Sequence, residues 1–518
     1  MYNSSSMKFL ASSFIGIGLS FAGITSTFAA PPAPKPNIVL VLADDLGWMD
    51  TGVYGSSFYH TPNIDALAKR GMLFTNAYAA APLCSASRAS IMSGQYPART
   101  GLTGAGGHLP KVRLKAIAPS RGNNPAYRSV SIQETTRLDT KIYTIAEALK
   151  DAGYVSGHFG KWHIGPEPYS PLQQGFDVDV PHYPGPGPAG SYVAPWKFPT
   201  ALHFTGKPGE HIEDRMAQEA VEFIRAHRNE PFYLNYWAFS VHAPFDAKSE
   251  LIEKYRQLAD PNKPQHQPLM AAMIESLDDA VGTLVDELEK QGLLDQTVFI
   301  FTSDNGGNMY DRIDGEPPTN NAPLRGGKAT IFEGGTKVPF IVDWPGVVQP
   351  GTRSDALVTG TDLYPTLIQI GGGSLHADQP LDGVSLVPIL AGDARSVRDY
   401  IFCHFPHNTP ATGNLASTYL RKGRWVLIRI YRDGADGADR FELYNLADDP
   451  SESADVAAMH PEVVAAMREQ MEKLCKETGA AIPKRNPDFD PAEKPKNPVM
   501  PPPEPGVPAP FSGIQPPA

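Results

Sequence analysis

The chain has 518 residues, of which 41% are hydrophobic, so it is long enough for one large domain and a smaller one. Its formal net charge of −11 argues against a general affinity for nucleic acid, and an anionic substrate would need a local basic site. The three cysteines, Cys84, Cys403 and Cys475, are too few for a disulfide scaffold. The sequence leaves open whether Cys403 and Cys475 pair, which would make Cys84 a single thiol.

The first 30 residues have the pattern of a secretory signal peptide. Lys8 supplies a positive charge, residues 9–24 form an apolar run, and residues 27–30 offer small side chains for cleavage. A membrane anchor is the alternative, although serines and glycines interrupt the apolar run. We expect an exported protein of bacterial type, periplasmic or secreted, with no later membrane span.

Strands and helices that alternate from residue 37 to about 372 predict a doubly wound α/β domain. Residues 37–43 are continuously apolar and β-branched, which is typical of a strand buried on both faces of a parallel sheet. Thr144 and Glu147 have the spacing of a capping box at a helix start. Further strands are predicted at 154–159, 232–240, 297–302 and 340–344, and helices near 62–70, 83–94, 144–150, 206–228 and 269–291.

Cys84 stands at the start of the predicted helix at 83–94. The helix dipole and the free N–H groups at that end favour a nucleophile or an anion. Arg88 lies one turn further on and would face the same point. A small buried cysteine with a structural role is the plainer interpretation of this stretch when it is considered alone.

Other chemistry-bearing residues follow the predicted strands, where α/β folds bind ligands. Asp44 and Asp45 end the first strand, and two adjacent carboxylates need a positive partner. The remaining candidates are Lys161 and His163 after the strand at 154–159, His242 after 232–240, Asp304 and Asn305 after 297–302, and Lys328 in a glycine-rich segment. Each of them also fits a solvated turn, a surface loop or a structural histidine.

Near residue 393 the predicted pattern changes from alternating strands and helices to several short strands in succession. Short strands at 400–404, 417–421, 425–431 and 441–446, followed by a helix at 461–478, predict a smaller α+β subdomain. The chain therefore divides into a signal peptide (1–30), a catalytic domain (31–392), a C-terminal subdomain (393–480) and a Pro-rich, extended or disordered tail (481–518).

The strand-end residues predict a metal site of hard ligands. Asp44, Asp45, Asp304 and Asn305 offer oxygen atoms, without the histidine and cysteine set that zinc favours. This composition predicts Ca²⁺, with Mg²⁺ as the second choice. The cationic or near-cationic side chains around it would stabilise charge on an anionic ester in an in-line displacement: Arg88, Lys161, His163, His242 and Lys328.

Together these residues resemble the type I sulfatases of the alkaline-phosphatase-like superfamily. The family signature Cys-x-Pro/Ala-x-Arg is matched by Cys84-Ser85-Ala86-Ser87-Arg88. Supporting matches follow in order at 36–40, 44–45, 160–163, 303–306, 324–328, 442–446 and 449–450. The resemblance covers residues 37 to about 478 and implies a large, mixed, mostly parallel sheet between helices.

The resemblance also implies a sulfuric ester hydrolase in which Cys84 is oxidised to formylglycine (3-oxoalanine). Residue 84 would join Asp44, Asp45, Asp304 and Asn305 around calcium, and its hydrate would attack sulfur with the help of Arg88. His242 and Lys328 would assist the leaving alcohol, His163 would take a proton from the second hydroxyl, and Lys161 would bridge the hydrate and the sulfate. Many members have proline where this chain has Ala86. It therefore stays open whether a formylglycine-generating enzyme or an anaerobic sulfatase-maturating enzyme converts Cys84.

A sulfated carbohydrate is the expected substrate. Export and the resemblance to bacterial polysaccharide-degrading sulfatases favour it, as do an aromatic, Gly/Pro-rich segment at 183–198 and a loop with Lys111, Arg113, Lys115, Arg121 and Arg128. Ordinary solvated or packed loops are the alternative for both segments. Alternative functions are a small-substrate arylsulfatase, a phosphonate or phosphate monoester hydrolase of the same superfamily, and a non-catalytic sulfoglycan-binding protein.

Overall fold

The structure is a computed structural model that describes residues 35–122 and 124–503. The predicted signal peptide and residues 504–518 of the predicted tail lie outside the described residues. Among the helices of the described part, none has the length and apolar character needed to cross a membrane. Cys84, Cys403 and Cys475 are buried and free, so Cys403 and Cys475 form no disulfide.

Strands and helices alternate through most of the described chain. The strands are β1 (Asn37–Ala43), β2 (Met72–Tyr78), β3 (Ser129–Val130), β4 (Val155–Gly160), β5 (Val178–Val180), β6 (Phe232–Trp237), β7 (Thr297–Ser303), β8 (Phe340–Asp343), β9 (Thr352–Thr359), β10 (Tyr400–Phe405), β11 (Ser417–Lys422), β12 (Trp425–Ile430), β13 (Arg440–Asn445) and β14 (Lys484–Arg485). The α-helices are α1 (Pro62–Arg70), α2 (Cys84–Ser93), α3 (Pro97–Thr100), α4 (Ile145–Asp151), α5 (Ile212–Ala226), α6 (Ser249–Leu258), α7 (Pro268–Lys290), α8 (Glu333–Thr336), α9 (Leu363–Gly371), α10 (Val387–Leu390) and α11 (Pro461–Glu477).

The main sheet has eight strands in the order β5-β4-β6-β1-β7-β8-β2-β9. Its pairs are parallel except that β8 runs antiparallel to both β7 and β2. The four adjacent strands β4, β6, β1 and β7 all point the same way, so the residues that follow them meet at one edge. This topology confirms the predicted mixed, mostly parallel sheet between helices.

Strand β1 explains how the sheet is buried on both faces. Val39, Val41 and Ala43 pack into a core with α5 and α7, whereas Ile38, Leu40 and Leu42 pack into a second core with α2, α4 and α9. All six side chains are fully buried. Because alternate residues point to opposite faces, a strand with two buried faces must be apolar throughout.

The C-terminal part contains a four-stranded antiparallel sheet in the order β10-β11-β12-β13. Helix α11 covers one face through Met467, Met471 and Leu474. The other face packs with Tyr78, Ile331 and Phe332 of the residues around the main sheet. The smaller α+β element of the predicted fold class is therefore present.

The described part of the tail is extended and makes specific contacts. Strand β14 pairs antiparallel with β3. Further along, the Nδ2 of Asn497 donates to the carbonyl oxygens of Pro410 and Ala411, and the Nε of Arg325 donates to the carbonyl of Met500. Residues 484–500 are thus held against the rest of the protein at several points.

Candidate active site

The predicted site residues come together at the carboxyl ends of four neighbouring strands and at the start of α2. Asp44 and Asp45 follow β1, and Cys84 is the first residue of α2. The Sγ of Cys84 lies 3.4 Å from Oδ1 of Asp44 and 3.9 Å from Oδ1 of Asp45. Both carboxylates are fully buried, and Cys84 is 1% exposed.

Arg88 connects the nucleophile helix to two strand ends. Its Nε donates to Oδ2 of Asp304 at 2.8 Å, and its Nη1 donates to the carbonyl of Lys161 at 2.5 Å. The guanidinium also lies 5.1 Å from the ring centroid of Trp237. Its Nη2 is buried without a hydrogen-bond partner among the described residues and lies 3.8 Å from Oδ1 of Asp44. One donor of a fully buried cation is therefore free to bind an oxyanion.

Two lysines neutralise the paired carboxylates. The Nζ of Lys161 is 2.5 Å from Oδ2 of Asp44, and the Nζ of Lys328 is 2.7 Å from Oδ2 of Asp45. These contacts supply the positive partners that the Asp44–Asp45 pair was predicted to need. Burial alone would raise the pKa of the Asp45 carboxyl, but Lys328, His242 and Lys161 outweigh it and hold that pKa well below its usual range.

His242 approaches the same carboxylate from the loop after β6. Its Nε2 is 3.8 Å from Oδ2 of Asp45, and its Nδ1 is 2.5 Å from the carbonyl of Ala243. Burial, with the positive charge of Lys328, lowers the pKa of His242 to about 3. The hydroxyl of Tyr192 donates to the carbonyls of Phe239 and His242, which anchors this loop. At neutral pH His242 is therefore an uncharged imidazole.

His163 is buried and has a partner that the sequence did not reveal. Its Nε2 lies 2.7 Å from Nδ1 of His108, while its Nδ1 is buried with no hydrogen-bond partner in the described part. A side chain at Gly107 would collide with the carbonyl of His163, since an added Cβ would lie 1.7 Å from that oxygen. Burial and Lys161 lower the pKa of His163 well below its usual range. The only sequence signal for His108 is its position directly after two glycines.

The carboxylates, Cys84 and the Asn305 amide form a compact oxygen-rich group. Ligand atoms of Asp44, Asp45, Cys84 and His242 all lie within 4.8 Å of one another. Asp304 is held beside them, since its Oδ1 accepts from the backbone N–H of Asp45 at 3.2 Å. The Nδ2 of Asn305 donates to Oδ1 of Asp45 at 2.8 Å, and its Oδ1 is buried without a partner among the described residues.

This group fits a hard cation. An orphaned buried carbonyl oxygen costs free energy unless something binds it, and a cation surrounded by carboxylates would do so. His242 belongs to the compact group although the sequence analysis assigned it to the leaving group, and Asp304 is turned partly toward Arg88. The structure thus brings together all the predicted ligands and adds one neutral histidine at the rim.

The Cys84 thiol is unsuited to act as a nucleophile itself. Burial and the nearby Asp304 carboxylate raise its pKa well above its usual range, although Lys161 and Lys328 oppose the shift. A thiol must ionise to attack, so Cys84 would be inert at neutral pH. The start of α2 therefore holds a buried thiol whose ionisation the surrounding groups oppose.

Some residues of the two segments predicted as alternatives for substrate binding have other partners. Arg121 lies 3.7 Å from Asp488, and Arg128 lies 3.8 Å from Asp433, so carboxylates from distant segments partly neutralise this loop. In the segment at 183–198, Tyr192 is fully buried and anchors the His242 loop, so its ring cannot stack on a sugar.

Comparisons with known proteins point to one family. The sequence model of the family described as Sulfatase matches residues 36–373, and that described as N-sulphoglucosamine sulphohydrolase, C-terminal, matches residues 327–477. Human N-acetylgalactosamine-6-sulfatase is 34% identical over 384 residues, which cover 70% of this chain and 67% of the relative. N-acetylgalactosamine-6-O-sulfatase of Bacteroides thetaiotaomicron is 30% identical over 518 residues, covering 85% and 93%. The crystal structure of Ps i-CgsB in complex with k-i-k-neocarrahexaose has a TM-score of 0.69 and 29% identity, covering 86% and 93%.

Proposed function

The chain belongs to the sulfatase family and is a sulfuric ester hydrolase, and from this premise we propose that it removes sulfate from a carbohydrate with a formylglycine made from Cys84. The observation that carries the proposal is the setting of Cys84: a buried, protonated thiol at a helix start, with two carboxylates, Arg88 and two lysines around it. Cationic groups that can bind an anion are thus in place, whereas the Cys84 thiol is held in its protonated, unreactive form.

The names of the relatives support a sulfated sugar as substrate. Two of them are N-acetylgalactosamine 6-sulfatases, one human and one from Bacteroides thetaiotaomicron, and a third protein was solved in complex with k-i-k-neocarrahexaose. We infer a sulfated polysaccharide or a glycosaminoglycan-type oligosaccharide as the substrate class. We also propose that the chain is exported, and that a formylglycine-generating enzyme or an anaerobic sulfatase-maturating enzyme converts Cys84.

Asp44, Asp45, Asp304, Asn305 and residue 84 would hold one Ca²⁺, with Mg²⁺ as the second choice. The buried, unpartnered Oδ1 of Asn305 and three neighbouring carboxylates support an ion with hard, flexible coordination. When bound, calcium would polarise the sulfate ester. The formylglycine hydrate carries two hydroxyl groups: one would attack sulfur, and the other would allow the sulfated residue to break down by elimination.

Side chains of the protein would bind the sulfate, support the leaving alcohol and take up a proton. The unpartnered Nη2 of Arg88 and the ammonium groups of Lys161 and Lys328 bind sulfate oxygens and stabilise the charge that develops on them. Lys328 and His242, both beside Asp45, support the departing alcohol oxygen. His163, an uncharged base with a free Nδ1, takes up the proton that elimination releases.

The decisive experiment combines a mass measurement with an assay. Protein from its native host is digested, and the mass of the peptide that holds residue 84 is measured. We expect the aldehyde or its hydrate, together with sulfate release from defined sulfated mono- and disaccharides. An unmodified thiol in active protein would contradict the mechanism, and hydrolysis of phosphonate or small aryl esters alone would contradict the carbohydrate substrate.

A further inference from the structure

A cleft of about 870 Å³ lies between the described part of the tail and two loops near the site. Its walls come from residues 262–264, 309, 310, 312, 320, 322, 324, 326, 411 and 412 and from tail residues 496–498 and 500–503. The volume falls in the range of about 300–1,000 Å³ that is usual for small-ligand sites. None of the predicted site residues lines this cleft, so the roles described above do not account for it.

The cleft adjoins the site on the side of Lys328. Gly326 lines it two residues before Lys328, and Tyr310 lines it five residues after Asn305. The two loops are joined, because the backbone N–H of Lys328 donates to the carbonyl of Gly307 at 3.0 Å. Burial raises the pKa of the Tyr310 hydroxyl to about 12, and this hydroxyl is close enough to Lys328 and Asp45 for their charges to act on it. The cleft therefore adjoins the segment that carries Lys328, to which the proposed function assigns the support of the leaving alcohol.

The lining is cationic in a protein of net charge −11. Lys263, Arg312 and Lys496 line the cleft, and no aspartate or glutamate does so among the described residues. Within that part of the chain, no carboxylate lies within 4 Å of these three side chains, all of which are exposed. The Nη1 of Arg312 donates hydrogen bonds to the carbonyls of Met309 and Asp311. Three exposed cations, none of them ion-paired within 4 Å among the described residues, thus line one space.

The described part of the tail forms one wall of the cleft and is held there by hydrogen bonds. Arg325 donates to the carbonyl of Met500 at 3.0 Å, and its guanidinium lies 3.8 Å from the ring centroid of Phe332. Asn497 donates to the carbonyls of Pro410 and Ala411 at 2.9 and 3.0 Å. The ordered prolines and Met500 leave an apolar surface beside the cations, which suits the faces of sugar rings.

We propose that this cleft binds the sugar units that follow the cleaved sulfate in an oligosaccharide with a second anionic group, and that Arg312 and Lys496 recognise that anion. The inference rests on the proposed function, because it extends the sulfated carbohydrate out of the site on the side of the leaving alcohol. It makes the tail part of the substrate-binding surface and makes the enzyme selective for charged oligosaccharides over single sulfated sugars.

The test compares three probes: 4-nitrophenyl sulfate, N-acetylgalactosamine 6-sulfate and a chondroitin 6-sulfate tetrasaccharide. In the double variant Arg312→Ala/Lys496→Ala, we expect the ratio of kcat/KM on the tetrasaccharide to that on the aryl ester to fall roughly tenfold, mainly through KM. Arg312→Lys/Lys496→Arg, which keeps both charges, should restore most of that ratio. Lys494→Ala is the matched control, since Lys494 lies on the same tail but does not line the cleft.

The outcomes separate the two proposals. Equal losses on all three probes, or an unchanged ratio in the double variant, would overturn the cleft as a sugar site. A parent enzyme that cleaves the aryl ester and neither sugar would overturn the proposed carbohydrate substrate, and the cleft proposal with it.

Discussion

Residue 84 is surrounded by groups that would oppose its ionisation and groups that would bind an anion beside it. Asp44 and Asp45 lie within 4 Å of its sulfur, while Arg88, Lys161 and Lys328 supply positive charge around the carboxylates. A permanent thiolate in this setting would add a third negative charge to a buried pair. A neutral hydroxyl in the same place would add none, which supports the proposal that residue 84 is modified.

Replacing Cys84 by alanine should abolish turnover without unfolding the protein. The side chain is small, so its removal leaves only a small cavity next to Asp44, whereas the nucleophile is lost entirely. We expect a fall in kcat of at least about a thousandfold, with a melting temperature close to that of the parent. Sulfate release at the parent rate would refute the assignment of residue 84.

Replacing Lys328 by alanine should harm poor leaving groups most. Lys328 adjoins the cleft where the alcohol departs, and a sugar alkoxide needs more stabilisation than a phenolate. We expect kcat on a sulfated sugar to fall roughly a hundredfold, and kcat on an activated aryl sulfate to fall clearly less. The exposed Lys476→Ala serves as control. Equal losses on both substrates would contradict the leaving-group role.

Among the elements, the loop at 103–108 packs around the carboxylate of Glu134. Glu134 accepts hydrogen bonds from the backbone of Thr103, Gly104 and Gly106, and an added Cβ at either glycine would lie within 3 Å of it. This loop carries His108 to His163. Burial raises the pKa of Glu134 to about 7, so its protonated form is the one that the fold prefers.

This shift predicts a pH-dependent contribution to stability. The group binds its proton more tightly in the folded chain, so the stabilisation is complete below the unfolded value of about 4.5 and is lost as the pH rises through about 7. Relative to Glu134→Gln, which cannot ionise, the parent should lose roughly 2–3 kcal/mol of unfolding free energy over that range. Urea unfolding at several pH values measures it, with exposed Glu469→Gln as the control. Parallel pH profiles for the parent and Glu134→Gln would contradict the shift.

The elements themselves were predictable wherever a local signal was strong. The capping box at α4 is present, with the backbone N–H of Glu147 donating to Oγ1 of Thr144 at 3.2 Å and the backbone N–H of Thr144 donating to Oε2 of Glu147 at 2.8 Å. Strand β1 and helix α2 lie within a residue of their predicted bounds. Strand β2 was not predicted, since its Thr75 and Asn76 interrupt the apolar pattern while β8 and β9 supply the pairing.

At the scale of the whole molecule, calcium should stabilise the fold as well as the reaction. Without a cation, the carboxylates of Asp44, Asp45 and Asp304 lie close together and fully buried, and Asn305 Oδ1 has no partner within the described residues. A ligand that binds only the folded state raises stability by mass action. We therefore expect chelation to abolish activity and to lower the melting temperature by about 5 °C, with Ca²⁺ restoring both better than Mg²⁺.

Two measurements check the ion. Differential scanning fluorimetry with and without chelator gives the shift in melting temperature, and Asn305→Ala should show a smaller shift than the parent. Metal analysis of the purified enzyme should find one calcium per chain. Two zinc ions per chain, or full activity after chelation, would refute the calcium site.

The division of the chain into a catalytic domain at 31–392 and a C-terminal subdomain at 393–480 stays a prediction at this scale. The C-terminal sheet shares a core with Tyr78, Ile331 and Phe332, and Arg325 bonds to the carbonyl of Glu452. On its other face the same sheet packs with α11 in a second core, to which Tyr96 and Ala98 also contribute. Limited proteolysis near residue 393 tests whether either part remains folded alone.

The sequence by itself determined the family, the α/β class and the chemistry of the strand ends, because these depend on local order. An apolar run followed by Asp44-Asp45, and Cys84 followed by Arg88, are patterns that a few neighbouring residues suffice to define. Parallel strands then bring their carboxyl ends to one edge of the sheet. Only the tertiary structure decided which distant groups meet. The contact of His108 with His163, the partners of Arg121 and Arg128, and the cleft between Arg312 and Lys496 join segments far apart in the chain, whose pairing depends on packing that no local pattern records.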